Sequence, residues 1–93
     1  MTIETVAFDA AEFFTTEAAQ NDLINDALES GDARYISKAL GVVARARGMG
    51  EVAAKAGVTR EALYKALSEN GDPKLSTLMG VAKALGIKFQ IAV

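Results

Sequence analysis

The sequence predicts a mainly helical domain, with an acidic helical extension in front of it and a short β-strand behind. Three observations carry that prediction. Apolar residues recur at helical spacing through most of the chain. Glycines and capping residues punctuate it where helices would start and stop. Only the last seven residues, IKFQIAV, alternate strictly, with Ile87, Phe89, Ile91 and Val93 on one face. A chain of 93 residues, 51% hydrophobic and rich in alanine, supports one modest core and not two.

Asp9, with Glu12 three residues on, forms a capping-box pattern and predicts a brief helix over AAEFF, with Phe8 and Phe13 packing across it. The preceding TIETVAF has strand-like content but weak alternation. Thr16 can cap a helix whose apolar residues are Ala19, Leu23, Ile24, Ala27 and Leu28, ending at Gly31. Asp32 then caps a helix over 33–47 with a buried stripe of Ile36, Leu40, Val43 and Ala44. Arg45 and Arg47 near its end suit the helix dipole. Gly41 inside it costs about 1 kcal/mol relative to alanine, which predicts a close helix crossing there. After residue 67, SENGDPK is the clearest loop, and a helix over Leu75–Leu85 is expected to bury Leu75, Leu78, Ala82 and Leu85 before Gly86 stops it. The C-terminal strand needs a partner, either residues 2–7 or a second copy of itself.

Residues 49–67, MGEVAAKAGVTREALYKAL, organise the rest. They read as a helix (49–56), a tight turn at Gly57 and a second helix (60–68). Ala53 and Ala56 allow close axes, and Gly57 can take the left-handed conformation. Val52, Ala56, Val58, Leu63 and Ala66 supply the packing. Thr59 can cap the second helix. Arg60, Glu61, Tyr64 and Lys65 are left outside. This is the helix-turn-helix pattern, in which the second helix enters the DNA major groove. An ordinary helical hairpin inside a bundle is the plainer reading of the same residues.

The net charge of −2 conceals a division. Residues 1–32 carry eight carboxylates and no Lys or Arg; residues 33–93 carry all ten Lys and Arg against four carboxylates. The halves are therefore −8 and +6, a split that suggests an acidic partner-binding segment (1–32) and a basic DNA-binding part (33–93). Within the acidic part Asp22, Asp26 and Glu29 share one helix face. Such carboxylates can hold Mg²⁺ or do acid–base work, but a solvated face is the simpler reading, and a surface for a basic partner is a third. The chain has no Cys and no His, so no disulfide, no thiolate zinc site and no histidine base are available. No cofactor, metal or enzymatic activity is expected. No apolar run approaches the roughly 20 residues of a membrane span, and no signal-peptide pattern opens the chain. A cytoplasmic protein without membrane attachment is expected.

Four helices (33–47, 49–56, 60–68 and 75–85) around this motif resemble the lambda-repressor-like helix-turn-helix domain of Xre-like and HigA-like proteins. The run Arg45-x-Arg47-Gly48-Met49, then Gly57-Val58-Thr59-Arg60-Glu61-x-Leu63-Tyr64-x-Ala66-Leu67-Ser68, then Gly71-x-Pro73, is similar to the probable addiction-module antidote family. So is the N-terminal Phe-Asp-x-Ala-Glu-Phe element, Phe8 to Phe13. Three residues depart from the wider pattern. Met49 and Gly50 stand where a phosphate-binding Gln often begins the first motif helix, and Lys74 stands where a capping Ser is common. The resemblance implies an antitoxin of a type II toxin–antitoxin module, which neutralises a RelE/HigB-like toxin and represses its own operon. RNA-cleaving toxins are basic, so an acidic segment is compatible with that role.

On this reading Thr59, Arg60, Glu61 and Tyr64 read bases. Arg60 suits a guanine edge, and Glu61 suits cytosine or orients Arg60. Arg47, Lys65, Ser68, Lys74 and the Gly50 amide fix the register on phosphate. Glu12, Glu17, Asp22, Asp26 and Glu29 are candidates for facing the toxin. A homodimer on a palindromic operator is expected. The alternative is a stand-alone repressor without a toxin, in which the acidic segment covers the domain itself.

Overall fold

The computed structural model describes residues 9–68 and 70–90. A 3-10 turn (Ala10–Phe13) precedes five α-helices, α1 (Glu17–Ser30), α2 (Ala33–Arg47), α3 (Met49–Ala56), α4 (Arg60–Ala66) and α5 (Leu75–Leu85). Capping chemistry explains most of the starts. Asp9, Thr16, Asp32 and Thr59 accept from the amides of Ala11, Ala19, Arg34 and Ala62 at 2.9–3.1 Å, satisfying donors that the first turn leaves free. No side chain caps α3 or α5, which follow Gly48 and Lys74.

Two of the stops share one device. Gly57 and Gly86 are left-handed, with φ of 78° and 74°. The amides of Val58 and Ile87 just beyond them reach back to Ala53 O (3.1 Å) and Ala82 O (2.8 Å). These are Schellman closures, in which an apolar residue after the glycine folds back on the helix it ends. Val58 and Ile87 both pack against the core accordingly.

Helix α1 lies on α2, and α5 lies chiefly on α3, with α4 against α3. Leu40, Val43, Leu63 and Val81, one or two from each of α2, α4 and α5, are the largest fully buried side chains. Ile24 of α1 joins the same cluster. Backbone crossings are tight at two glycines. A Cβ on Gly41 would stand 2.8 Å from Leu67 O, and one on Gly80 would stand 2.9 Å from Ala56 O. The crossing expected at Gly41 is thus present, against the end of α4. The small Ala56 serves α5 as well as the turn.

The expected C-terminal β-strand is not formed. Residues 87–90 have no regular structure, and there is no strand among the described residues. The alternation misled because its first member, Ile87, is the apolar residue of the α5 closure. Phe89 is 52% exposed instead of joining a ladder. Residues 2–7, offered as a pairing strand, Phe8, offered as a partner of Phe13, and residues 91–93 lie outside the described residues. Leu75 also departs from expectation, at 72% exposed. It shares the face of Leu78 and Ala82 but sits in the first turn, where that face has run past its neighbours. Val81, which the predicted stripe left out, is fully buried. Helix α4 ends at Ala66 rather than 68, and Leu67 turns into the core just beyond it.

Candidate nucleic-acid interface

Helix α4 has seven residues and one fully buried side chain, Leu63. With about 100° between successive residues, fixing Leu63 inward turns Glu61, Tyr64 and Lys65 out; Arg60 lies nearer the Leu63 side but is the first residue of the helix, and all four are exposed. Thr59 stands at the start of this helix, its Oγ1 accepting from the Ala62 amide at 3.0 Å. The cap occupies an acceptor lone pair and leaves the hydroxyl proton free to donate. The Arg60 guanidinium carbon lies 5.7 Å from the centroid of the Tyr64 ring, within cation–π range. A stacked guanidinium keeps its in-plane N–H donors, so this contact orders Arg60 without using the edge that a base or phosphate would need.

Around this group the phosphate candidates separate. Gly50 is exposed in the first turn of α3, which Met49 anchors in the core at 5% exposure. Lys65 and Lys74 are exposed. Ser68 is exposed too, its hydroxyl donating to Lys65 O at 2.8 Å. Arg47 behaves otherwise. Its Nε donates to Gln20 Oε1 at 2.8 Å and its Nη1 to Leu85 O at 3.1 Å. The side chain that the sequence suggested for phosphate is thus half-buried and ties α1 to the end of α5. Arg45 pairs with Asp9 at 3.3 Å, so both arginines of this turn face the N-terminal segment.

Gln20 is the residue the sequence reading missed. It is 5% exposed, donates to Phe14 O at 2.8 Å and accepts from Arg47. A signal was available: Gln20, Ile24 and Ala27 are spaced by four and three, which puts a polar side chain on the buried stripe of α1. Such a group must find hydrogen bonds inside.

The acidic candidates Glu12, Glu17, Asp22, Asp26 and Glu29 are all exposed. Asp26 accepts from the Tyr35 hydroxyl at 2.5 Å. That hydrogen bond, helped by burial and by the Asp26 charge, raises the Tyr35 pKa above 10.0. Among the described residues no group of three or more Asp or Glu is placed to hold a metal ion.

The description "Probable addiction module antidote protein" matches residues 4–93 of the chain. The chain belongs to that family. A Haemophilus influenzae protein described as uncharacterized is 44% identical over 91 residues, which cover 98% of this chain and 94% of its relative. No solved structure matches. The antidote family implies, in general terms, a toxin as partner. No helix among the described residues is long and apolar enough to cross a membrane.

Proposed function

We propose that this chain is the antitoxin of a type II toxin–antitoxin module. It neutralises a RelE/HigB-like toxin by direct binding and represses its own operon as a homodimer on a palindromic operator. It acts in the cytoplasm, by binding alone and not as an enzyme. Membership of the antidote family carries the first half of this reading. The second half rests on α3, the Gly57 turn and α4 acting as a Xre-like, HigA-like helix-turn-helix unit of the lambda-repressor type. Thr59, Arg60, Glu61 and Tyr64 form the exposed side of its second helix. Arg60 and Tyr64 meet base edges, with Glu61 beside them, while Lys65, Lys74, Ser68 and the Gly50 amide hold phosphate. Arg47 is left out of the phosphate set because its guanidinium is engaged inside.

The Asp9–Arg45 pair favours a second reading on one point, since it places an acidic residue of the N-terminal segment on the basic domain. In that reading the chain is a stand-alone repressor, and removing residues 1–32 tightens DNA binding.

Fluorescence anisotropy on DNA from upstream of the gene, across a salt series, tests the repressor role. Binding that weakens with salt, and that Arg60→Ala weakens by about 1–3 kcal/mol at one base pair only, supports it. Equal affinity for random DNA overturns it. Isothermal titration with the product of the adjacent gene tests the antitoxin role, and absence of binding there leaves the stand-alone repressor.

A further inference from the structure

Three shallow concavities adjoin on the side of the molecule built by α1 and the end of α5. The first lies on α1 among Asp22, Asp26 and Glu29 and shares Asn25 and Leu28 with the second. The second runs between α1 and the start of the tail and shares Ile87 and Lys88 with the third. The third is an apolar groove walled by Met79 and Phe89, with Lys83 at its rim. Together they make one trough, acidic at its α1 end, mixed in polarity around Asn21, Asn25 and Lys88, and apolar with Lys83 at its α5 end. Leu28, Met79 and Phe89 along it are 39%, 59% and 52% exposed. In a domain of this size such exposed apolar groups in one trough mark a contact surface more readily than a solvated one. No residue of α4 lines any of the three.

From this we infer that the trough is where the antidote holds its toxin, an inference that rests on the antitoxin reading above. The occupant is an apolar-faced helix or extended segment of the toxin. Lys or Arg side chains at one end of it meet Asp22 and Glu29. A carboxylate or a helix C-terminus at the other end meets Lys83 and Lys88, since cations suit the negative end of a helix dipole. The charge gradient selects the partner and its direction. The apolar groove at the α5 end supplies the affinity, as buried apolar anchors do in protein interfaces. A second copy of this chain would have to set one concave floor against another. The Arg47 hydrogen bonds to Gln20 and Leu85 tie α1 to the end of α5, which holds the two elements that flank the trough in place before the toxin arrives. Because α4 takes no part, the toxin and DNA occupy different surfaces and can be held together.

The test is isothermal titration of the full chain with the purified product of the adjacent gene, with sedimentation of each variant alone. Met79→Glu and Leu28→Glu change exposed side chains, and circular dichroism checks that their helices persist. Each is expected to weaken toxin binding about thirtyfold, the size of an interface hot spot. Asp22→Lys with Glu29→Lys is expected to weaken it and to lower the salt dependence of the association rate. Arg60→Ala is expected to leave it unchanged. If the wild type binds and the trough variants bind equally well, the trough is wrong and the antitoxin reading stands. If the wild type does not bind, the antitoxin reading fails and takes the trough with it. If instead Met79→Glu converts a dimer to monomers while toxin affinity is kept, the surface belongs to a second copy and the inference is overturned.

Discussion

Replacing Arg47 separates a structural strut from a phosphate contact. Arg47→Met keeps the unbranched stem of the side chain and removes both donors, to Gln20 Oε1 at 2.8 Å and Leu85 O at 3.1 Å. Hydrogen bonds from a charged donor contribute about 1.5–3 kcal/mol each, but Arg47 is half-buried and water recovers part of that, so a loss of about 2–3 kcal/mol is expected. The Gln20 carbonyl, on a side chain 5% exposed, is then left without its partner, which keeps the cost from falling further despite the part that water recovers. In a domain of this length that lowers Tm by roughly 10–20 °C. Urea unfolding followed by circular dichroism measures the loss directly. The double variant with Gln20→Leu should cost less than the two single variants summed, since the Gln20 carbonyl that Arg47→Met orphans is then gone while Phe14 O loses its donor in either background, giving a coupling of about 1 kcal/mol or more. A change within about 0.5 kcal/mol for Arg47→Met, additive with Gln20→Leu, would refute the strut. Arg47 would then return to the DNA face, and the variant would lose DNA affinity without losing stability.

Three further expectations are independent of that one. Gly41→Ala should destabilise by about 1 kcal/mol, because the new methyl meets Leu67 O at 2.8 Å and overpacking of about 1–3 kcal/mol outweighs a helix-propensity gain of about 1 kcal/mol; stabilisation in a urea melt would place the crossing elsewhere. Leu75→Ser should shift stability by less than about 0.5 kcal/mol while Leu63→Ala costs about 2–5 kcal/mol, and comparable losses in thermal melts would mean that Leu75 is covered. In a Tyr64→Phe background, absorbance titration should find the Tyr35 phenol ionising above 10.0, and Asp26→Asn should bring its midpoint down. A folded pKa raised above the unfolded one means that the folded state holds this proton more tightly. Its contribution to stability is therefore complete below pH 10.0 and is lost as pH rises through the higher folded value, a loss that Tyr35→Phe abolishes.

Local chemistry was the most legible part of the sequence. Asp9, Thr16, Asp32 and Thr59 announce their caps because an oxygen two or three residues before a free amide has one obvious use. Gly31, Gly57 and Gly86 announce their stops in the same way. Depth was not legible. Helical spacing assigns Leu75 and Leu78 to one face, but only the arrangement of neighbours decides that one is covered and the other is not. Gly80 reads as an ordinary helix-weakening residue until Ala56 is found beside it. The tail failed for a related reason: a Schellman closure and a strand both want Ile after a short polar interval, and pattern alone cannot tell which hydrogen bonds that residue makes. Within the candidate site, the exposure of Glu61, Tyr64 and Lys65 follows from Leu63 being buried, which the sequence could indicate, whereas Arg60 lies nearer the Leu63 side and its exposure rests on its place at the helix start. The inward turn of Arg47 depends on Gln20, a partner 27 residues away, and distance along the chain hides such pairs.

The brevity of α4 has a consequence of its own. A seven-residue helix has no stable existence in water apart from what it packs on, so the surface that would face DNA is borrowed from the core through Leu63. Any event that opens the core, whether heat, denaturant or a protease catching a transient opening, removes that surface in the same step. The integrity of that surface and resistance to turnover are then one quantity, and shortening the life of the fold removes the surface without needing a separate signal.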